Sequence, residues 1–420
     1  MFYPTAKSMR SDLSGFYDLS LDARLSLVKK LCSLTEEEAD TLRKTVCLPH
    51  SDRMIENAVG TIELPLGIAT NFTVNGRDVL VPMAIEEPSV VAAASHAAKL
   101  ARPEGFEASS DEPIMIGQIQ LLGAGRGAAK TILENRDSII EIAHAKDSVL
   151  VKLGGGLKNI EVREIETERG TMTIVHLLVN VQDAMGANAV NTMCEEVAPF
   201  IENLVGGRSL LKIISNLAVY RKTRAGTVWK KEALGEDVIE GILDAYAFAK
   251  ADPFRCATHN KGIMNGIDAV LIATGNDFRA AEAGAHAFAA IDGYKPLTKY
   301  RKNENGDLVG EIELPLVAGI VGGSTNSNPI AKISLKILNV RKAHELSEVA
   351  ACVGLANNFA ALRAMVKEGI QKGHMKLHAH NIALTAGATH DEAIKITDVM
   401  LSEGKISVAR ASELLEVMRR

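Results

Sequence analysis

The sequence predicts an α+β protein: a large, mostly helical part, a small inserted α+β part built on an antiparallel sheet, and a helical C-terminal tail. Three observations carry this prediction. Between residues 111 and 217 the hydrophobic pattern runs β-α-β-β-α-β, an order that suits a compact antiparallel sheet. Beyond residue 217 the chain is dominated by long helical stretches whose Ala and Gly content permits close helix contact. From Gly373 it is helical again and carries the closely spaced His374, His378 and His380.

The elements follow in order. Leu21 to Leu34 has amphipathic helical spacing with Ser20 as N-cap, and Thr35-Glu36-Glu37-Glu38 opens a second helix as a capping box. Gly60 to Pro82 reads as β-rich, with strands at Thr61 to Leu64, Phe72 to Val74 and Val79 to Val81; Asn75-Gly76 forms a hairpin turn between the last two. Val90 to Arg102 is an Ala-rich packed helix. Ile114 to Leu122 is a strand, Ala128 to Ala145 a helix, and Ile160 to Glu166 and Thr171 to Val181 are strands around an Arg169-Gly170 turn. Asn188 to Leu204 is a helix and Leu210 to Ala218 a strand. Helices over Asp237 to Ala251, Phe278 to Ile291 and Leu346 to Gly369 follow, with a polar turn at Asn303 to Asp307. Ile62-Glu63-Leu64-Pro65-Leu66 recurs as Ile312-Glu313-Leu314-Pro315-Leu316, which suits two similar strands in one sheet and is too short for a duplication.

Composition narrows the function. With 420 residues, 47% hydrophobic and 24% charged, the chain has the make-up of a soluble globular protein with a large core. Aromatics make up only 4%, with a single tryptophan, so small aliphatic packing must dominate. A net charge of −5 argues against nonspecific nucleic-acid binding. Five cysteines without CxxC spacing disfavour both a disulfide framework and a zinc site, and point to a reducing cytosol. Cys256 lies near Lys261 and reads as buried packing rather than a reactive thiol. Met1 to Ser14 lacks the apolar core of a signal peptide, and no run approaches a membrane span of roughly 20 apolar residues. The expectation is a cytoplasmic protein.

Two stretches carry chemistry. Thr258-His259-Asn260-Lys261-Gly262-Ile263-Met264-Asn265-Gly266 reads as a Gly-flanked turn that brings Lys261 close to a substrate carbonyl. Asp277, in the following Thr274-Gly275-Asn276-Asp277 turn, can keep that lysine charged and aimed, which makes an oxyanion stabiliser; the bland alternative is a solvated loop lysine. Glu86-Glu87-Pro88-Ser89 sets two carboxylates at a helix start. They serve either as dipole complements or, if burial raises one pKa, as a proton donor. Gly123-Ala124-Gly125-Arg126-Gly127-Ala128 matches the dinucleotide fingerprint G-x-G-x-x-A, but no strand ending in an acid follows at the required distance, so a Rossmann reading fails. Asp183-Ala184-Met185-Gly186-Ala187-Asn188 is the better cofactor segment, because small residues before a helix let backbone N–H groups meet a pyrophosphate.

With Glu56-Asn57-Ala58-Val59-Gly60, Gly319-Ile320-Val321-Gly322-Gly323 and Gly373-His374-Met375 added, these motifs stand in one order over nearly the whole chain. In that order the chain resembles the class II 3-hydroxy-3-methylglutaryl-coenzyme A (HMG-CoA) reductases. The resemblance implies interconversion of HMG-CoA with mevalonate and coenzyme A through two hydride transfers from or to a nicotinamide cofactor. It implies a large substrate domain (1–110 and 218–371), a small non-Rossmann dinucleotide domain (111–217) and a C-terminal flap (372–420). It implies a homodimer or an assembly of dimers with active sites between subunits, no metal, no nucleic acid and no membrane; membrane-anchored class I relatives carry an extra N-terminal region. By the same resemblance Lys261 polarises the carbonyl, Glu87 donates a proton, Asp277 holds Lys261 and tunes Glu87, and His374 protonates the departing thiolate. Ser89, Arg255 and Asn265 hold the substrate carboxylate. The loop Asp183, Met185, Gly186, Ala187 and Asn188 takes the cofactor. Asp147 aligns with the acid that meets the adenosine ribose, so NAD(H) is favoured over NADP(H), although Lys146 and Lys152 stand nearby as partners for a phosphate. The spacing of His374 and His378 lacks the Glu of a metalloprotease helix. Tyr17 stands where some relatives carry a coenzyme A-contacting Arg, leaving Arg10 or Lys7 to replace it. Two rivals remain: a dehydrogenase for another acyl-CoA or hydroxy acid, and a coenzyme A-binding homologue without catalysis.

Overall fold

The computed structural model of the chain describes residues 11–13, 15–16, 19–43, 54, 62–367 and 379–419. Lys7, Arg10, Tyr17, Glu56 to Gly60, Gly373 to Met375 (with His374) and His378 lie outside these residues.

Two sheets organise the described chain. One has six strands in the order β2-β1-β3-β8-β10-β9. Its first hairpin joins β1 (Leu66–Val74) to β2 (Arg77–Ala84) antiparallel across Asn75-Gly76. Both turn residues have positive φ, 49° and 73°, as the hairpin turn favoured by strand twist requires. β3 (Phe106–Ser110) pairs parallel with β1 and antiparallel with β8 (Lys222–Trp229), and β10 (Leu308–Pro315) bridges β8 and β9 (Thr298–Lys302). The second sheet has four strands in the order β5-β6-β4-β7: β4 (Ile114–Leu122), β5 (Gly156–Thr167), β6 (Gly170–Asn180) and β7 (Arg208–Ser215), all antiparallel. The chain leaves the large sheet after Ser110 and returns to it at Lys222.

Each sheet has its own core. In the first, Trp229 stacks on Phe359 with ring centroids 3.7 Å apart and meets the edge of Phe106 at 6.4 Å. Its indole N–H donates to the Ala97 carbonyl at 3.1 Å, so the large apolar body is buried with its polar tip satisfied. The helix Ala343–Lys367 runs through this core. In the second, Met115, Ile119, Val175, Leu177 and Val179 pack against Val190, Met193, Cys194, Val197 and Ile201 of the helix Ala187–Val205. Gly117 is required there, because a Cβ would sit 2.3 Å from the Cys194 sulfur.

Several expectations change. The stretch over 128–145 is interrupted: Asn135 closes Ala128–Glu134, Arg136–Lys146 follows, and Asp147 caps Ser148–Lys152. Ile62 to Leu64 lie outside any strand, and Ile62 is 95% exposed, so the first copy of the repeated pentapeptide enters a strand only at Leu66, whereas the second is strand from Ile312 to Pro315. The large part is less purely helical than its composition suggests. In β8 the alternation is real, but Thr223 and Thr227 occupy inward positions and mask it in the sequence. The helix Ala343–Lys367 is also long and apolar enough to cross a membrane, contrary to expectation, but 67% of its apolar window is buried inside the protein. That is how a core helix behaves.

Candidate active site

The site is assembled from the β2 exit and one long helix. After β2 the chain turns through Glu87, Pro88 and Ser89 into the helix Val90–Leu100. Ser89 sits at the N-cap in the left-handed region, φ 76°, and its hydroxyl makes no cap hydrogen bond. A non-glycine residue held there costs on the order of 1–3 kcal/mol, and such strain concentrates at functional positions.

Lys261 stands in mid-helix, not on a turn: Pro253–Ala273 is continuous across the Gly-containing motif. Asp252 caps its start by accepting from the Phe254 N–H at 2.7 Å, and Pro253 occupies the first turn. Gly266 serves packing instead. A Cβ on Gly266 would lie 2.6 Å from the Asn357 amide nitrogen and 2.9 Å from the Val353 carbonyl oxygen, so Gly266 lets this helix approach Ala343–Lys367 closely. Beside Gly262 there is open space. Tertiary packing thus overrides the weak helix propensity of glycine.

The helix divides the motif between two faces. His259 and Asn260 are buried. His259 shares a hydrogen bond with the Thr298 hydroxyl at 2.6 Å, and burial drops its pKa to about 3. Asn260 bonds the Lys295 carbonyl and the Leu297 N–H, both at 3.0 Å. Lys261 and Asn265, one turn apart, share the other face. Lys261 Nζ meets Glu87 Oε2 at 2.8 Å, and Asn265 Nδ2 donates to the same oxygen at 3.3 Å. Glu87, Lys261 and Asn265 therefore form one cluster.

The other expected site residues fall around it. Asp277 does not hold Lys261 here. It caps the helix Phe278–Ala290, accepting from the N–H groups of Arg279 and Ala280 at 3.1 and 3.2 Å, and pairs with Arg279 at 3.2 Å. Lys261 pairs instead with the carboxylate of Glu87, the proton donor that the family resemblance implies. Arg255 is half-buried, its guanidinium touches Met365 Sδ at 3.9 Å, and burial lowers its pKa. Among the described residues it has no carboxylate partner. Cys256 is fully buried and its thiol pKa is raised by burial, as packing requires.

Asp183 to Asn188 run from the end of β6 into the helix Ala187–Val205. The Asp183 carboxylate accepts from the Ala343 N–H at 2.9 Å and from Lys342 Nζ at 3.0 Å, and so caps the core helix. Gly186, at φ 103°, admits no side chain, since a Cβ would lie 2.5 Å from Val181 Cγ1. Asn188 is exposed. Asp147 accepts from the Leu150 N–H at 2.9 Å, and Val149 and Leu153 just beyond it in the sequence are exposed. Lys146 is engaged by Glu196 at 2.9 Å. The segment Gly123 to Ala128 follows an antiparallel strand, with open space at Gly123 and Gly127, so it carries no Rossmann turn.

A model of the hydroxymethylglutaryl-coenzyme A reductase family matches residues 20–379. The chain belongs to this family. It is 58% identical over 418 residues to the 3-hydroxy-3-methylglutaryl-coenzyme A reductase of Archaeoglobus fulgidus, an overlap of 98% of this chain and 96% of the relative. It is 38% identical over 340 residues to a probable reductase of Borreliella burgdorferi, covering 78% and 77% of the two chains. Among solved structures it resembles the class II HMG-CoA reductase of Streptococcus pneumoniae bound to NADPH in open conformations, with TM-score 0.81 and 40% identity over 96% of this chain and 100% of that one.

In this HMG-CoA reductase fold a further polar group went unread in the sequence. Asp268 lies one turn beyond Asn265 on the Lys261 face, its carboxyl bonded to Glu282. Glu282 meets His286 Nε2 at 2.8 Å, and His286 Nδ1 bonds the Tyr294 hydroxyl at 2.8 Å. The signal was the i, i+4, i+7 spacing of Lys261, Asn265 and Asp268, visible only once the motif is known to be helical.

Proposed function

We propose that the protein interconverts HMG-CoA and mevalonate plus coenzyme A, using a nicotinamide cofactor. The observation that carries this reading is the convergence of Lys261 Nζ and Asn265 Nδ2 on Glu87 Oε2. An ammonium and a carboxyl side by side are what thioester reduction asks for: one group to stabilise an oxyanion and one to deliver a proton. The cofactor supplies hydride. Its fit is supported by the Gly186 cradle at the start of a 19-residue helix, whose first N–H groups suit a pyrophosphate.

In this mechanism Lys261 stabilises negative charge on the carbonyl oxygen as the thioester becomes a hemithioacetal, and again as the aldehyde becomes an alcohol. Glu87 donates the proton to the alkoxide. Asp277 orients and tunes this pair once substrate has displaced the Lys261–Glu87 contact. His374 protonates the coenzyme A thiolate. Ser89, Arg255 and Asn265 bind the substrate carboxylate, Arg255 with a guanidinium suited to bidentate contact. The large part (1–110 and 218–371) binds the thioester, 111–217 the dinucleotide, and 372–420 acts as a flap, in a cytosolic homodimer. Deletion from Gly373 onward should leave coenzyme A thioester binding largely intact and abolish turnover; full activity of the truncated enzyme would end the flap reading.

Asp147 favours NADH, because a carboxylate repels a 2′-phosphate at close range. The capture of Lys146 by Glu196 supports this; the NADPH held by the S. pneumoniae relative weighs the other way. The deciding assay follows reduced-cofactor absorbance with HMG-CoA, NADH and NADPH side by side. Loss with NADH alone supports both readings, and equal use of NADPH retains the reaction and removes the Asp147 argument. Asp147→Ala should then narrow the NADH preference by about tenfold, the effect of roughly 1.4 kcal/mol. Inertness toward HMG-CoA, with another acyl-CoA turned over, would favour the dehydrogenase rival. Tight thioester binding without any oxidation would favour the non-catalytic one.

A further inference from the structure

Residues 216–221 carry the chain from β7 of the small sheet to β8 of the large one. At the end of this crossing Arg221 is 5% exposed. Among the described residues it forms no ion pair. Its Nη1 donates to the Ala184 and Met185 carbonyls at 3.2 and 3.3 Å, and its Nη2 donates to the Ala318 carbonyl. Burial lowers its pKa to about 10, which still leaves it charged at neutrality. The nearby Asp183 carboxylate partly offsets the burial, but a buried cation whose side-chain hydrogen bonds all go to carbonyls is a poor way to add stability, since desolvation offsets most of its attraction. What the planar guanidinium offers is reach to two segments at once in fixed geometry.

Those two segments are the Asp183–Asn188 loop and the strip 316–321 after β10. They also meet directly. Ile320 N–H donates to the Asp183 carbonyl at 2.9 Å, Ala184 bridges Val321, and a Cβ on Gly319 would fall 2.5 Å from the Met185 nitrogen. The strip is tied in turn to the Asp277 turn: the Gly319 N–H donates to Asn276 Oδ1 at 2.7 Å, and Asn276 Nδ2 bonds the Thr274 hydroxyl at 3.0 Å. A continuous path of hydrogen bonds and close packing thus joins the turn bearing Asp277 to the loop that opens the helix Ala187–Val205.

We infer that Arg221 and Asn276 are positioning residues that hold the Asp183–Asn188 loop in register with the Asp277 turn, and so set where a reduced dinucleotide stands relative to the acyl carbon. This rests on that loop being the cofactor site. The test compares the full-length enzyme with Arg221→Met, Arg221→Lys and Asn276→Ala. It measures KM for the reduced dinucleotide and for HMG-CoA separately, together with dinucleotide affinity by quenching of Trp229 fluorescence or by calorimetry. Arg221→Met should raise the dinucleotide KM and Kd by about tenfold or more and leave the HMG-CoA KM within about twofold. Arg221→Lys should recover part of the loss, and Asn276→Ala should shift the dinucleotide constants in the same direction. Equal rises in both KM values, or a lowered melting temperature with unchanged dinucleotide constants, would overturn the inference. If Arg221→Met does not fold, Arg221→Lys and Asn276→Ala decide, and unchanged dinucleotide constants in both overturn it. Ala187→Glu tests the underlying reading separately by placing a carboxylate at the helix start. If its dinucleotide affinity equals that of the parent, the loop is not the cofactor site, whatever the Arg221 variants show.

Discussion

Lys261→Ala should cut kcat with HMG-CoA by about 10²–10³-fold, the cost of removing one donor from a preorganised oxyanion site, and leave the fold intact. The two halves of that expectation come from different features. Turnover falls because the cluster with Glu87 and Asn265 offers one ammonium, and Asn265, a neutral amide, cannot replace it at a developing alkoxide. The fold survives because the Lys261 side chain is 58% exposed and its neighbour Gly262 faces open space, so truncation opens no cavity. Its ion pair with Glu87 is an exposed one, and such pairs contribute about 0–1 kcal/mol. A purely structural lysine would give the opposite result, a lowered melting temperature with kcat within about tenfold of the parent. Steady-state kinetics beside thermal unfolding of the same preparation separates the two. Glu87→Gln should retain the Lys261 contact and still lose turnover, because an amide accepts the hydrogen bond but has no proton of suitable acidity to give.

The sequence was most legible where local chemistry dictates shape. The Asn75-Gly76 hairpin, the Ser20 and Thr35 caps and the four strands of the small sheet stand where turn residues and alternation place them. It was least legible where tertiary contact decides. The glycines around Lys261 suggested a turn, yet the close approach of the helix Ala343–Lys367 at Gly266 keeps the segment helical. Asp277 reads as a partner for Lys261, yet its Oδ1 is taken by the free N–H groups of the helix it begins. Motif order located the Glu87, Lys261 and Asn265 cluster without any geometry. Arg221 escaped notice because no motif surrounds it; its role arises from three carbonyls on two distant segments.

Asp268 should make the protein less stable as pH rises. Its carboxyl is pushed from an ordinary 3.8 up to about 9, first by burial and then by the adjoining Glu282, and one of its oxygens is buried without a partner. Glu282 moves the other way, held ionised chiefly by His286, with Asp268 also donating to it. The pair therefore keeps one proton, on Asp268, at neutrality. The sign follows from proton counting. Between about pH 4 and pH 9 the folded state binds a proton at Asp268 that the unfolded state has released, so unfolding releases it and stability falls as pH rises through that window. Glu282 contributes the opposite slope only below its ordinary range near 4.5, where its paired carboxylate takes up a proton. Asp268→Asn keeps a donor toward Glu282 and has nothing to titrate, so its stability should be flat where the parent declines. Proton sharing and partial solvent access reduce the ceiling of about 1.4 kcal/mol per pKa unit, which leaves a gain on the order of 2 kcal/mol for the variant at about pH 8 and little difference at about pH 5. Chemical denaturation at the two pH values measures it. Parallel pH profiles for parent and variant would show that Asp268 is ionised in the folded protein, with Lys261, about two turns away on the same face of the helix, as the first cation to examine for the compensating charge.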